Sequence, residues 1–259
     1  MKQALVSIIT PTYNRADYIN VLYEFVLSQT YPYIEWIIYD DSDQVNTFLQ
    51  QKTSSNIKYM HVPGRMSVGQ KRNALIEKAS GEFIVQFDDD DFYAPEYITK
   101  LMDKMLSDDL DFILFSGFFC YHLDLNFFGY YRTHLKKGPA YQFNKSGITS
   151  VLLEKQNIPL IHFCYGWTYF FKKEVWLKQP FTSINVFEDR SFLISAIQNK
   201  FKVYFYEDQI GIAAHSVHKK SSSVCYPQNL IPDFMANHFF GNNMAKMLKL
   251  RKIALDSNV

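Results

Sequence analysis

Phe87-Asp88-Asp89-Asp90-Asp91-Phe92 sets four consecutive carboxylates between two phenylalanines. Such a run suits neither a core strand nor a stable helix. Yet it directly follows Gly81-Glu82-Phe83-Ile84-Val85-Gln86, an apolar, β-prone segment that reads as a buried strand. Ala94-Pro95-Glu96 comes next, and proline at a first helical turn starts a helix. The acids therefore fall at the carboxyl end of a strand, where open α/β sheets hold their ligands. Four like charges so close together raise one another's pKa values unless a cation neutralises them. Manganese or magnesium, divalent ions that accept oxygen ligands, are the natural occupants. A solvated acidic loop is the plainer alternative, but such a loop needs no apolar strand ending in it.

Outward from this stretch, strands and helices alternate. Leu5–Ile9, Ile34–Tyr39 and Ile57–Val62 read as strands; the helical spacing of Ile19, Leu22, Tyr23 and Val26 marks one helix, and Val68–Ala79 another. Ile98, Leu101, Met102 and Met105 line a third, before a strand at Phe112–Phe115. This order predicts βαβ units on a mostly parallel sheet. Right-handed crossovers then bring every strand's carboxyl end to one edge, so Asp40 and Asp41 share a crevice with Asp88–Asp91. Beyond residue 115 the pattern changes. Phe118–Arg132 reads as a hairpin around Asp124-Leu125-Asn126, Lys136–Pro159 as polar and irregular, and Tyr169–Phe171 and Val203–Tyr206 as short strands.

With 47% hydrophobic and 20% charged residues over 259, the chain is globular and long enough for one large core. Its net charge of +1 gives no global field for nucleic acid, and no nucleic-acid partner is expected. Aromatics at 17% suggest flat surfaces for stacking on sugars or bases. Cys120, Cys164 and Cys225 lack metal-ligand spacing and read as free thiols of a reducing compartment. Without a signal-peptide pattern or a bilayer-length apolar run, a cytoplasmic location is expected.

The run Val6-Ser7-Ile8-Ile9-Thr10-Pro11-Thr12-Tyr13-Asn14-Arg15, then Tyr39-Asp40-Asp41-Ser42, then the acids before Phe92-Tyr93-Ala94-Pro95, resembles glycosyltransferase family 2. Gly166-Trp167 and Glu188-Asp189 match the order and approximate spacing of that family's later motifs. The resemblance is strong through residue 115 and again from about 163 to 206. It implies the GT-A fold, a Rossmann-like, mostly parallel central sheet flanked by helices with a smaller antiparallel acceptor-side region. It also implies inversion at the anomeric carbon of a nucleotide-activated sugar, with a UDP-sugar as the expected donor. Residues 1–115 would form the nucleotide-sugar half, 116–220 the acceptor and catalytic-base half, and 221–259 a helical tail.

Tyr13 lies just past the first strand, where its ring can stack on a base, with Pro11 and Arg15 in the same turn. Asp41 is placed to accept from the N–H of a uracil-like base, a role the resemblance also implies. Arg72, on the helix leading to the crevice, offers a guanidinium to diphosphate or base. Asp89 aligns with the family's ribose contact and Asp90 with its metal ligand, while Asp88 opens the Asp-x-Asp pattern. Asp91 is expected to order the loop or cap the next helix. The departing diphosphate calls for a Mn2+ or Mg2+ ion as Lewis acid. An acceptor hydroxyl must lose its proton to a carboxylate on the far side of the sugar, and Asp189 at a helix start is the choice, with Glu188 orienting its neighbours. Gly166-Trp167 offers a close approach beside a large ring for a sugar face. Of His215 and His218, the latter, followed by Lys219-Lys220, is assigned to the metal and diphosphate, and Ser221–Ser223 to a closing loop.

A glycan or lipid-linked acceptor follows from the same resemblance. The basic, apolar tail from Phe239 to Leu255 leaves three arrangements open: packing on the domain, contact with the inner face of a membrane, and a homodimer. A sugar-nucleotide nucleotidyltransferase is the chief competitor, but Thr10–Arg15 lacks the glycine-rich loop that class uses. A sugar-binding module that kept the fold without turnover is the other.

Overall fold

The computed structural model describes residues 4–135, 137–154 and 165–256; Cys164 lies outside them. Val6–Thr12 (β1), Ile34–Asp40 (β2), Ile57–His61 (β3) and Phe83–Gln86 (β4) are linked through helices Ala16–Leu27 (α1), Thr47–Lys52 (α2) and Val68–Lys78 (α3). The strands lie in the order β4-β1-β2-β3, all parallel. Residues of β1, β2 and β4 are buried almost throughout, as strands covered on both faces must be. Alternate residues serve opposite faces: Ile8 joins a core with Phe25 and Tyr97, and Ile9 one with Leu75 and Phe192.

β1 runs three residues further than its apolar pattern suggests, and Pro11 explains where the acids leave the sheet. Phe87 donates its N–H to the carbonyl of Ile9 at 3.1 Å. The next rung of a parallel ladder would need an N–H from Pro11, which has none. Pairing with β4 stops there, while pairing with β2 continues to Thr12 opposite Asp40. Residues 88–91 are thereby freed at the sheet's carboxyl edge.

Phe92–Tyr93 (β5) and Tyr97–Ser107 (α4) follow, then Phe112–His122 (β6), far longer than the Phe112–Phe115 strand expected. β6 pairs antiparallel with Phe127–Arg132 (β7) across the anticipated hairpin, where Asn126 takes φ 59°. Residues 136–159, expected to be irregular, instead contain a hairpin of Gly138–Asn144 (β8) and Gly147–Leu153 (β9). It is tied to the body by paired backbone bonds between Phe143 and Cys225.

Phe170–Lys172 (β10) inserts antiparallel between β4 and β6, and leads into Lys173–Lys178 (α5) and Glu188–Gln198 (α6). Val203–Glu207 (β11) and Ala213–Val217 (β12) run parallel to β6, and Asn229–Ile231 (β13) antiparallel to β7. Asp233–Phe240 (α7) and Met244–Asp256 (α8) close the described chain. Met247, Leu250 and Ala254 of α8 are buried, and Lys249 pairs with Glu24 of α1 at 2.7 Å, so one side of the tail helix packs on the domain. The heavy aromatic content belongs mostly to the interior: the largest fully buried side chains are all Trp, Tyr or Phe, with Phe87 and Tyr93 stacked at 3.8 Å. Cys120 and Cys225 are free and buried.

Candidate active site

The carboxyl edge of β1, β2 and β4 opens into a crevice of two adjoining lobes. One, of about 340 Å³, is lined by Pro11, Tyr13, Arg15 and Asp88–Asp90. The other, of about 570 Å³, is lined by Gly166, Trp167, Glu188 and Asp189. Arg72 and Asp88 line both, and mark the passage between them.

In the smaller lobe, Thr12 donates to Asp89 at 2.6 Å, and Arg15 pairs with Asp90 while reaching Asp89 at 3.5 Å. Burial works against ionising Asp90, but Arg15 beside it and the His218 hydrogen bond hold its pKa well below the usual carboxylate range. Asp89 moves the other way, pushed up to about 7 by burial and by Asp90, against Arg15. His218 Nε2 lies 2.9 Å from Asp90 Oδ2, and its ring stacks on Tyr18 at 5.1 Å. A carboxylate and an imidazole thus converge on one point.

Asp91 turns away from the cleft. Wholly buried, it takes His215 Nδ1 at 2.9 Å and the backbone N–H of Ser216 at 2.7 Å, so it fixes β12 rather than capping α4. His215 Nε2 in turn meets Ser223 Oγ at 2.7 Å. This Asp91–His215–Ser223 chain anchors the segment whose Lys220 and Ser221–Ser223 line the smaller lobe. His215 is itself buried, on strand β12 and stacked on Trp167 at 5.3 Å.

Asp41 does not reach the cleft wall. Its side chain is fully buried and accepts from Lys71 Nζ at 2.7 Å and from the Met66 N–H at 2.9 Å. Lys71 also bonds the Thr12 carbonyl at 3.0 Å. Arg65 was not anticipated: its guanidinium lies 3.4 Å from the centroid of the Tyr13 ring and 3.7 Å from Asp41. Only the loop left by Pro63-Gly64 brings it there. A flat cation stacked on a half-buried ring makes a platform on which a planar base can lie. Arg65→Ala and Tyr13→Ala are each expected to weaken UDP binding about tenfold, measured by calorimetry, because each removes one stacking face worth about 1–2 kcal/mol.

Arg72 is 4% exposed and pairs with Glu188, and its Nη2 also lies 3.7 Å from Asp88 Oδ1. Its charge is committed to this carboxylate bridge between α3 and α6, rather than standing free for a phosphate. Gly166 makes room for it: a Cβ there would lie 2.9 Å from Arg72 Nη2. Gly69, one helical turn earlier on α3, is packed closer still, with the Thr182 carbonyl oxygen 1.8 Å from where a Cβ would sit. Gly69→Ala is expected to cost about 2 kcal/mol, seen as a lowered melting temperature, because the loop bearing Asn185–Phe187 must move.

Asp189 stands in the first turn of α6, as the sequence pattern predicts, and accepts from the Gly166 N–H at 3.2 Å and the Arg190 N–H at 2.7 Å. The helix terminus favours its charge, yet burial, then Glu188, outweigh Arg72 and raise its pKa to about 6. Trp167 is 2% exposed, and its Nε1 has no partner among the described residues.

The comparisons with known proteins bear on this arrangement. The family model described as glycosyl transferase family 2 matches residues 7–176. A glycosyltransferase of Haemophilus influenzae is 30% identical over 171 residues, covering 63% of this chain and 67% of that one. The Escherichia coli UDP-Glc:alpha-D-GlcNAc-diphosphoundecaprenol beta-1,3-glucosyltransferase WfgD is 31% identical over 115 residues, 44% of this chain and 46% of that protein. Among solved structures, Staphylococcus aureus TarS in complex with UDP superposes with a TM-score of 0.62 at 20% identity, covering 82% of this chain and 60% of that one. The mannosyltransferase PcManGT of Pyrobaculum calidifontis, solved with GDP-Man and Mn2+, gives 0.58 at 15% identity, covering 85% and 59%. The chain therefore spans about three fifths of these solved structures, and less than half of WfgD. Their likeness shows the fold, GT-A, with its mostly parallel central sheet. The family model covers well over half the chain, from β1 through the acids to β10 and α5, and on that ground the chain belongs to glycosyl transferase family 2.

Proposed function

We propose that the protein is an inverting glycosyltransferase that binds a nucleoside diphosphate sugar, a UDP-sugar, in the smaller lobe and an acceptor alcohol in the larger. One observation carries this reading: Asp90, which His218 contacts from behind the wall, and Asp189 line adjoining lobes joined at Arg72 and Asp88. WfgD carries UDP-Glc in its name and TarS was solved with UDP, which supports a uridine donor. The Tyr13–Arg65 stack is where the base would lie.

Asp90 and His218 would suit a Mn2+ or Mg2+ ion, since a carboxylate oxygen and an imidazole nitrogen already converge, and Arg15 is the cation that such an ion would displace from the same carboxylate. Among the described residues no group of three His, Cys, Asp or Glu could hold a metal alone, so diphosphate oxygens would complete the set. Such an ion would offset the charge that develops on the leaving diphosphate. The protein's own steps are these. Asp189 accepts the proton of the acceptor hydroxyl as its oxygen forms a bond to the anomeric carbon. The bond from that carbon to the diphosphate oxygen breaks on the opposite face, and the electron pair leaves with the nucleotide. Arg72 and Glu188 hold the two lobes in register, and the segment anchored by His215 and Ser223 excludes water.

The acceptor is a glycan or lipid-linked glycan, the class named for WfgD. Among the described residues no helix is long and apolar enough to cross a membrane. A panel of nucleotide sugars with Mn2+, scored for release of free nucleotide diphosphate and for thermal shift, tests the donor side. No response to any UDP-sugar would overturn it.

A further inference from the structure

Phe187, the residue before α6, has φ 71° and ψ 11°, a left-handed conformation that strains a bulky side chain. Nothing caps the helix through this side chain, and no buried pocket receives it: the ring is 48% exposed. It lines the larger lobe two residues from Asp189, with Val186 beside it at 57% exposed. The loop is pinned to α3, with Asn185 Oδ1 accepting from the Val68 N–H at 3.1 Å and the Ile184 carbonyl from Gly69 at 3.1 Å. Tight attachment on one side thus holds a strained, half-bare ring on the other. Strain that no packing explains, at the mouth of a cavity, points to a ligand.

We infer that Phe187 is a stacking platform for the acceptor, and that the acceptor residue is a pyranose. The inference rests on the proposed role of Asp189. A pyranose is amphipathic by face: its C–H face covers an aromatic ring while its hydroxyls turn toward carboxylates. Here the ring and the Glu188–Asp189 carboxylates flank one space of about 570 Å³. A linear polyol has no flat C–H face for the ring, and a hydrocarbon chain has no hydroxyl for Asp189. The platform therefore selects the ring and presents its hydroxyl to the base.

The test uses methyl hexopyranosides as probes, with ribitol as the acyclic control, in saturation-transfer NMR with and without UDP. Phe187→Gly removes the ring and relaxes the backbone, and Phe187→Asn, which tolerates the same φ, is a second ring-less variant. At least one hexopyranoside should bind the natural protein through its C–H protons, with affinity falling at least tenfold in both variants and retained in Phe187→Trp. Melting temperature should stay equal or rise in Phe187→Gly, and UDP affinity should stay within twofold. The platform is refuted by no hexopyranoside binding in the natural protein, by equal binding of ribitol, or by retained binding in Phe187→Gly. Absent UDP binding with ring-dependent hexopyranoside binding would instead sink the donor reading and leave the platform standing.

Discussion

Asp189→Asn should lower sugar transfer by about 10²–10⁴-fold, the contribution of a positioned general base, while leaving UDP affinity unchanged. Asparagine keeps the shape and can still accept from the Gly166 N–H, which bonds Asp189 at 3.2 Å. What it cannot do is take a proton. The environment supports the assignment: burial and then Glu188 raise the carboxyl to about 6, with Arg72 opposing them. A base must be ionised to work, so transfer should be flat above about pH 7 and fall as pH drops through about 6. The groups facing Asp189 are Glu188 on its own helix and Arg72 from α3, and Arg72 stays charged throughout this range. Single-turnover rates against pH would show the acid limb in the natural enzyme and its absence from the residual activity of the variant. Near-normal turnover in Asp189→Asn would remove this residue as the base.

How much of this was legible beforehand follows from the distance over which each signal acts. β1, β2, β4, α1 and α4 announce themselves through apolar periodicity, and the acids through their position after a strand. The GT-A fold follows from those and from the ordered motifs. Asp189 at a helix start is equally local. The Tyr13–Arg65 stack joins two loops 52 positions apart, and the Asp91–His215–Ser223 chain exists only because β12 lies parallel to β6 and pairs with β5. No spacing within a single segment encodes either. Asp41 and Arg72 read in the sequence as nucleotide contacts, but their partners are not visible there: Lys71 and Glu188 take up their charges. The β8–β9 hairpin escaped because Ala140 and Phe143 are its fully buried residues in β8, three apart, which breaks the alternation a strand normally shows. The left-handed Phe187 has no sequence sign at all, since glycine or asparagine is what such a φ favours.

Asp90→Ala should reduce manganese-dependent UDP affinity by about 100-fold or more, since loss of a mere supporting group around a metal already costs 10–100-fold. Three features single out this carboxylate among the four. Arg15 and His218 both converge on Asp90 Oδ2, and together they keep it ionised despite burial. Asp89 is instead held by Thr12, and Asp91 is turned to His215. Of the four, Asp90 is therefore the carboxylate held toward its charged form beside an imidazole at the nucleotide lobe. Calorimetry with UDP in Mn2+ and in EDTA separates the contributions: the variant should lose the metal-dependent increment and keep the metal-free affinity that Tyr13 and Arg65 supply. Asp90→Asn, which preserves volume, guards against collapse of the loop, because Arg15 can fall back on Asp89 at 3.5 Å and leave the site assembled. Equal heats for natural protein and both variants in Mn2+ would place the metal elsewhere, and would separate Asp90 from the departing diphosphate.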